Sequence, residues 1–217
     1  MTDAFAEELF QLPGRADKLI FPVSRLLVDV ERYHEDRDEP MAAKGLGAIA
    51  ANTHDGRPLK LVDQRAALME EYYIPHREAL DQWTADSLAK DWRCLILNCQ
   101  TFPSRPLPCD VNQKSERPDI CLGTSKLHSE KDVLMAAVEA FEKRGLSVLI
   151  DVPYYGTIVP IPYFGRDRRV ASIKIDVSRR LYMDEETGTK SLGFEQARTT
   201  LQECLSELST YWMANFS

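Results

Sequence analysis

Hydrophobic positions along this chain follow two spacings, and the stretches that carry them alternate. Leu95, Ile96 and Leu97 stand in a row ahead of Asn98 and Gln100, which predicts a short buried strand, Cys94 to Asn98, running into a polar loop. From Val170 to Val177 the spacing is two: Ala171, Ile173, Ile175 and Val177 oppose Val170, Ser172, Lys174 and Asp176, which predicts a strand with one polar face. Shorter apolar runs predict strands at Leu26 to Val30, within Arg117 to Thr124, and at Ser147 to Asp151, the last one buried. Helical spacing appears elsewhere. Thr2 to Phe10 predicts a helix capped by Thr2 or Asp3 and stopped by Pro13-Gly14. Leu61, Leu68, Met69, Tyr72, Leu80, Trp83 and Leu88 predict helix over Leu59 to Ala89. Pro75 lacks an amide proton, so two helices should meet near Tyr73-Ile74-Pro75-His76. Leu134, Val138 and Phe141 predict Lys131 to Lys143, ended by Gly145, and the stripe from Phe194 through Leu205 to Trp212 predicts Phe194 to Met213. Asp55-Gly56 signals a turn in a small hairpin or extended excursion, and Pro153 to Gly165 is long enough to be a lid or a pocket wall.

Strands and helices alternating in this way predict an α/β fold, with a mixed, largely parallel sheet flanked by helices. Ligands of open α/β sheets bind beyond the carboxyl ends of strands. The end of the Cys94 strand, with Asn98, Gln100 and an Arg105 held on a loop stiffened by Pro103, Pro106 and Pro108, is therefore where a site is expected.

A chain of 217 residues, 44% hydrophobic and 28% charged, predicts a single ordered domain over 1–217. A net charge of -7 excludes a general nucleic-acid role, because phosphate binding needs a basic face. No apolar run is long enough to span a bilayer, and the acidic start lacks a signal-peptide core, which predicts a cytoplasmic protein. The five cysteines, Cys94, Cys99, Cys109, Cys121 and Cys204, form no CxxC pair and read as reduced thiols.

Candidate chemistry is sparse. His34, His54, His76 and His128 share no HxxxH or HxH spacing, so no preformed zinc cluster is visible, and His34, His54 and His128 read as surface residues. Asp176 sits on the polar face of its strand, ahead of Arg179 and Arg180. It is placed either as a general base or as the partner of an arginine. Arg25, Arg105 and Arg179 stand at strand or loop edges; they either converge on a dicarboxylate or are unrelated surface residues.

Several stretches together resemble the N-formylglutamate amidohydrolase (deformylase) family: Pro22 to Arg32, Glu39-Pro40-Met41, Tyr72 to Leu80, Phe102 to Pro108, Pro118 to Thr124, Pro153 to Thr157 and Ser178 to Glu185. They occur in the family's order across nearly the whole chain. The resemblance implies a fold similar to zinc carboxypeptidases and other phosphorylase/hydrolase-like folds. It also implies metal-assisted hydrolysis of an N-acyl bond on an acidic amino acid, with a carboxylate as base and arginines holding the ligand's carboxylates. On that reading Asp176 is the base, Arg25, Arg105 and Arg179 bind substrate, and Asp3 matches an acidic position at the metal.

The departures fall on the metal motif. Where the family reads Asp-x-His-Ser-Phe, this chain has Asn98-Cys99-Gln100-Thr101-Phe102, and glutamine is a poor zinc ligand. Arg77 holds the place of a histidine, and Asp176 replaces a glutamate. The family's earlier Pro-His strand would precede Met1, so the domain reads as N-terminally incomplete relative to the family. Zinc is the cofactor the resemblance implies, and the changed ligand positions speak against it here. The enzyme reading is hydrolysis of a small acidic N-acyl amino acid. The binding reading is a catalytically silent homologue that holds such a ligand or a protein partner. The third is a scaffold alone. A sheet edge left open would promote pairing with another chain or a second copy.

Overall fold

The computed structural model describes residues 3–12, 16–59 and 64–216. They form two compact units, one built from Lys18–Trp83 and Leu107–Gln113, the other from Asp3–Asp17, Thr84–Pro106 and Lys114–Ser217.

In the first unit a one-turn 3-10 helix, Pro40–Lys44, starts where the Glu39 side chain accepts from the Met41 amide. The chain then turns through Gly45 at φ 72, where a β-carbon would lie 2.4 Å from the Asn52 amide. The expected turn at Asp55-Gly56 is present, closed by Thr53 N–H to Arg57 O at 2.8 Å. Helix α2 (Arg65–Leu68) passes through a π-helical turn, Met69–Tyr73, into α3 (Ile74–Asp91), whose residues from Thr84 onward belong to the second unit. The junction falls where Pro75 predicts it. The Ile74 amide bonds back to Met69 O, and Pro75 follows in the first turn of the new register, so its missing proton leaves less of a gap than it would in mid-helix. The expected strand at Leu26 to Val30 is instead a turn. Ser24 O takes the amides of both Leu27 and Val28, and Arg25 pairs with Asp29 one turn on. The apolar run is real, but Val28 and Val30 bury against Ala48, Ile49, Leu68, Met69 and Tyr73 rather than in a sheet.

The second unit holds a four-stranded sheet of β1 (Cys94–Phe102), β2 (Ile120–Gly123), β3 (Val148–Ile150) and β4 (Val170–Ser178), in the order β1-β4-β2-β3. β1–β4 and β2–β3 are parallel, while β2–β4 is antiparallel. Helices α4 (Lys131–Glu142) and α5 (Phe194–Phe216) cover one face. There Ile120, Leu122, Ala171, Ile173, Ile175 and Val177 meet Val133, Ala137, Phe141, Leu201, Leu205 and Leu208. Each fully buried Val, Leu, Ile or Phe side chain among them contributes roughly 1.5–3 kcal/mol.

Three expectations change in this unit. β1 runs on past Asn98 to Phe102, because its parallel register with β4 continues to Phe102↔Ser178 before Pro103 stops it; Asn98 and Gln100 are therefore inside the strand. β3 is an edge strand, not a buried one, with Leu149 45% exposed. The first helix shrinks to α1 (Ala6–Leu9), because Phe5 takes φ 62 and the Asp3 carboxylate goes to β1 instead of capping. Thr2 and Pro13-Gly14 lie outside the described residues. His128 is also not a surface residue. Its Nδ1 donates to Val170 O at 2.8 Å and its Nε2 accepts from Gly165 N at 2.8 Å, which fixes the neutral Nδ1–H tautomer and pins the end of the 153–165 loop to β4.

Candidate functional site

The second face of the sheet is polar and nonetheless buried. All nine residues of β4 are buried. Period two puts Ser172, Lys174, Asp176 and Ser178 on the face away from α4 and α5, and the 153–165 segment lies over it. Ser172 Oγ donates to Ile158 O at 2.7 Å. Cys121 Sγ donates to Tyr154 O at 3.1 Å. Tyr154 is fixed by Arg117, whose Nη1 donates to its hydroxyl at 2.8 Å, and by Phe102, packed edge-on at 5.9 Å. The expected lid or wall is thus a cover bonded to the sheet.

Register aligns two rows across three strands beneath this cover. Asn98 of β1, Lys174 of β4 and Gly123 of β2 form one; Gln100, Asp176 and Cys121 form the other. The Lys174 ammonium sits 3.2 Å from Asp176 Oδ2. Lys174 is 8% exposed and Asp176 3%. Gln100 Nε2 donates to Asn98 Oδ1 at 3.3 Å. Burial pushes the Cys121 thiol up to about 11. Asp176 thus pairs with a lysine two residues back on its own strand face. Among the described residues no three His, Cys, Asp or Glu side chains are grouped to hold a metal ion. Two amides, an ammonium, one carboxylate and a protonated thiol are not a zinc donor set, so this face does not fit that ion.

Of the other sequence candidates, Arg179, Asp3 and Arg105 lie in the second unit with this block. Arg179 opens a 3-10 turn, Arg179–Leu181, straight after β4, and its Nε donates to Thr101 Oγ1 at 3.3 Å. Asp3 reaches the same residue, accepting from the Thr101 amide at 2.7 Å and hydroxyl at 2.9 Å. Its carboxylate thereby closes the far end of edge strand β1. Arg105 is exposed on its loop, which is anchored next door by Ser104 N–H to Glu185 at 2.9 Å. Arg25 and Arg77 belong to the first unit. Arg25 Nη2 bonds Asp29 at 3.0 Å, and Arg77 Nη1 bonds Val30 O at 3.3 Å. Sequence reasoning passed over Lys174. Its signal was there, a cation at period two from Asp176, but a charge on a polar strand face ordinarily reads as solvated.

An α/β sheet with one apolar face under helices and one polar, covered face defines the class of protein. The sequence profile of N-formylglutamate amidohydrolase matches residues 1–183, so the chain belongs to that family. Among solved structures, the N-formylglutamate amidohydrolase from Ralstonia eutropha JMP134 superposes with a TM-score of 0.74 at 21% identity, covering 88% of this chain and 75% of that one. A gene product from Agrobacterium tumefaciens superposes at 0.53 with 15% identity, covering 87% and 69%. At these identities the likeness is one of fold. No curated protein matches the chain.

Proposed function

We propose that this chain binds a small acidic N-acyl amino acid, of the N-formylglutamate class, beyond the carboxyl ends of β1 and β4, and does not hydrolyse it through zinc. The observation that carries this reading is the Lys174–Asp176 ion pair flanked by the Asn98 and Gln100 amides, on the face where the family resemblance calls for metal ligands. The arginines support the binding half. Arg179 stands at the strand ends and Arg105 is exposed on the adjoining loop, and guanidinium forks suit carboxylates.

The test is direct. Purified protein is assayed for zinc by mass spectrometry, for formate release from N-formyl-L-glutamate, and for binding of that compound by calorimetry. Saturable binding without turnover is expected, weakened by about tenfold or more in Arg105→Ala, since one lost charge-assisted contact is worth more than about 1.4 kcal/mol. Stoichiometric zinc together with turnover abolished by a chelator overturns it.

A further inference from the structure

We infer that Lys174 is the resident cation of the polar sheet face. Its ammonium fills the electrostatic place of a metal ion and keeps a dication out. The inference deepens the reading above and rests on that face being free of metal; it does not require that any ligand binds.

Three observations converge on it. First, the lysine is held on several sides. Asp176 Oδ2 lies 3.2 Å away, Tyr155 O 3.5 Å, and the Tyr154 ring centroid 5.8 Å. A carboxylate, a carbonyl and an aromatic face are the partners an ammonium takes when water is withdrawn. Second, the sheet is shaped around the lysine stem. At Gly123, directly across the ladder from Lys174, a β-carbon would lie 2.6 Å from Lys174 Cε and 2.2 Å from Gly156 O. No other residue fits there without moving the lysine or the cover. Third, the cover segment is fixed by contacts of its own, so its carbonyls are in place to receive the charge. Arg117 bonds the Tyr154 hydroxyl, and Cys121 bonds Tyr154 O.

The chemical consequence is selective. A fixed ammonium balances Asp176 and can donate to an oxygen. It has no open coordination position and repels a dication a few ångströms away. Losing the histidine at position 100 alone would weaken a zinc site. A lysine in the same block changes the site's charge requirement, so returning the histidine does not bring the metal back.

The experiment uses the full chain in four forms: native, Asn98→Asp/Gln100→His, and that pair combined with Lys174→Gln or with Lys174→Arg. Zinc affinity is read by competition with a chromophoric chelator, and each form is checked for a cooperative melt. The pair with Lys174→Gln should bind zinc about a hundredfold or more tighter than the pair alone, and Lys174→Arg should stay as weak as the pair alone. Equal affinity in all three, strong or absent, overturns the inference. A readout on the native protein does not depend on any variant folding. Nitrogen-15 lysine spectra should show one ammonium signal protected from solvent exchange that shifts in Asp176→Asn. If every ammonium exchanges as a surface lysine does, the cation is not resident. N-formylglutamate calorimetry on the native chain reports separately: lost binding with zinc still excluded by Lys174 defeats the ligand reading and leaves this one standing.

Discussion

Burying Lys174 beside Asp176 takes two charges out of water, and attraction at 3.2 Å does little more than offset that cost. What the pair does strongly is penalise the loss of either member. Lys174→Met leaves the Asp176 carboxylate without its ammonium, and Asp176→Leu does the reverse. Each should cost about 3–5 kcal/mol in urea unfolding, whereas the double replacement should recover most of that loss. A double variant as unstable as the sum of the singles would show that the two charges do not act on one another. Alternation along β4 put these two side chains on one face in the sequence. Whether that face met water or protein depended on Tyr154, Tyr155 and Ile158 folding over it, and those residues carry no periodic signal.

Elements show the same division between local and non-local information. α4, α5 and β4 were legible because their apolar residues recur at one spacing and the helices present that stripe to a single sheet. Leu26 to Val30 was not, because a run of β-formers folds as a turn once Ser24 O captures two amides ahead of it. The cover over β4 is held by single residues, which makes it sensitive to small changes. His128→Ala removes both the bond to Val170 O and the bond from Gly165 N, and leaves a cavity behind a side chain only 1% exposed. A loss of about 2–4 kcal/mol is expected, with faster proteolysis in 153–165 than elsewhere. Gly123→Ala should be at least as damaging, since its β-carbon meets the Gly156 backbone oxygen at 2.2 Å. If its melting temperature stayed at that of the native chain, the close packing of cover on sheet would be wrong.

At the scale of the whole molecule, family and fold class were readable from ordered motifs, while pairing was not: nothing in Ile120 to Gly123 says that β2 runs against β4 yet with β3. The distribution of titratable groups over the two units is likewise a product of folding, and it sets how the protein responds to acid. In the first unit His76 is half-buried, its ring against Phe21 at 5.1 Å. Burial first, and the neighbouring Arg77 second, lower its pKa below the usual 6.5. The unfolded chain therefore takes up that proton first, so stability is full above about pH 6.5 and falls as the pH drops toward the lowered folded value. In the second unit Asp119 ties the start of β2 to Ser147 and Arg180. Burial works to raise its carboxyl, but the hydrogen bonds from Ser147 and Arg180 outweigh it and hold it below 3.8. That contribution is present above about pH 4 and is lost only below it. Unfolding measured by chemical denaturation from pH 8 to pH 3 should consequently weaken in two stages. His76→Leu should flatten the first stage without touching the second, and Asp119→Asn should lower stability at neutral pH and shrink the second, to which other carboxylates held low by hydrogen bonds, Asp167 and Glu207 among them, also contribute. A stage near pH 4 that is undiminished in Asp119→Asn would place the acid sensitivity elsewhere in the chain.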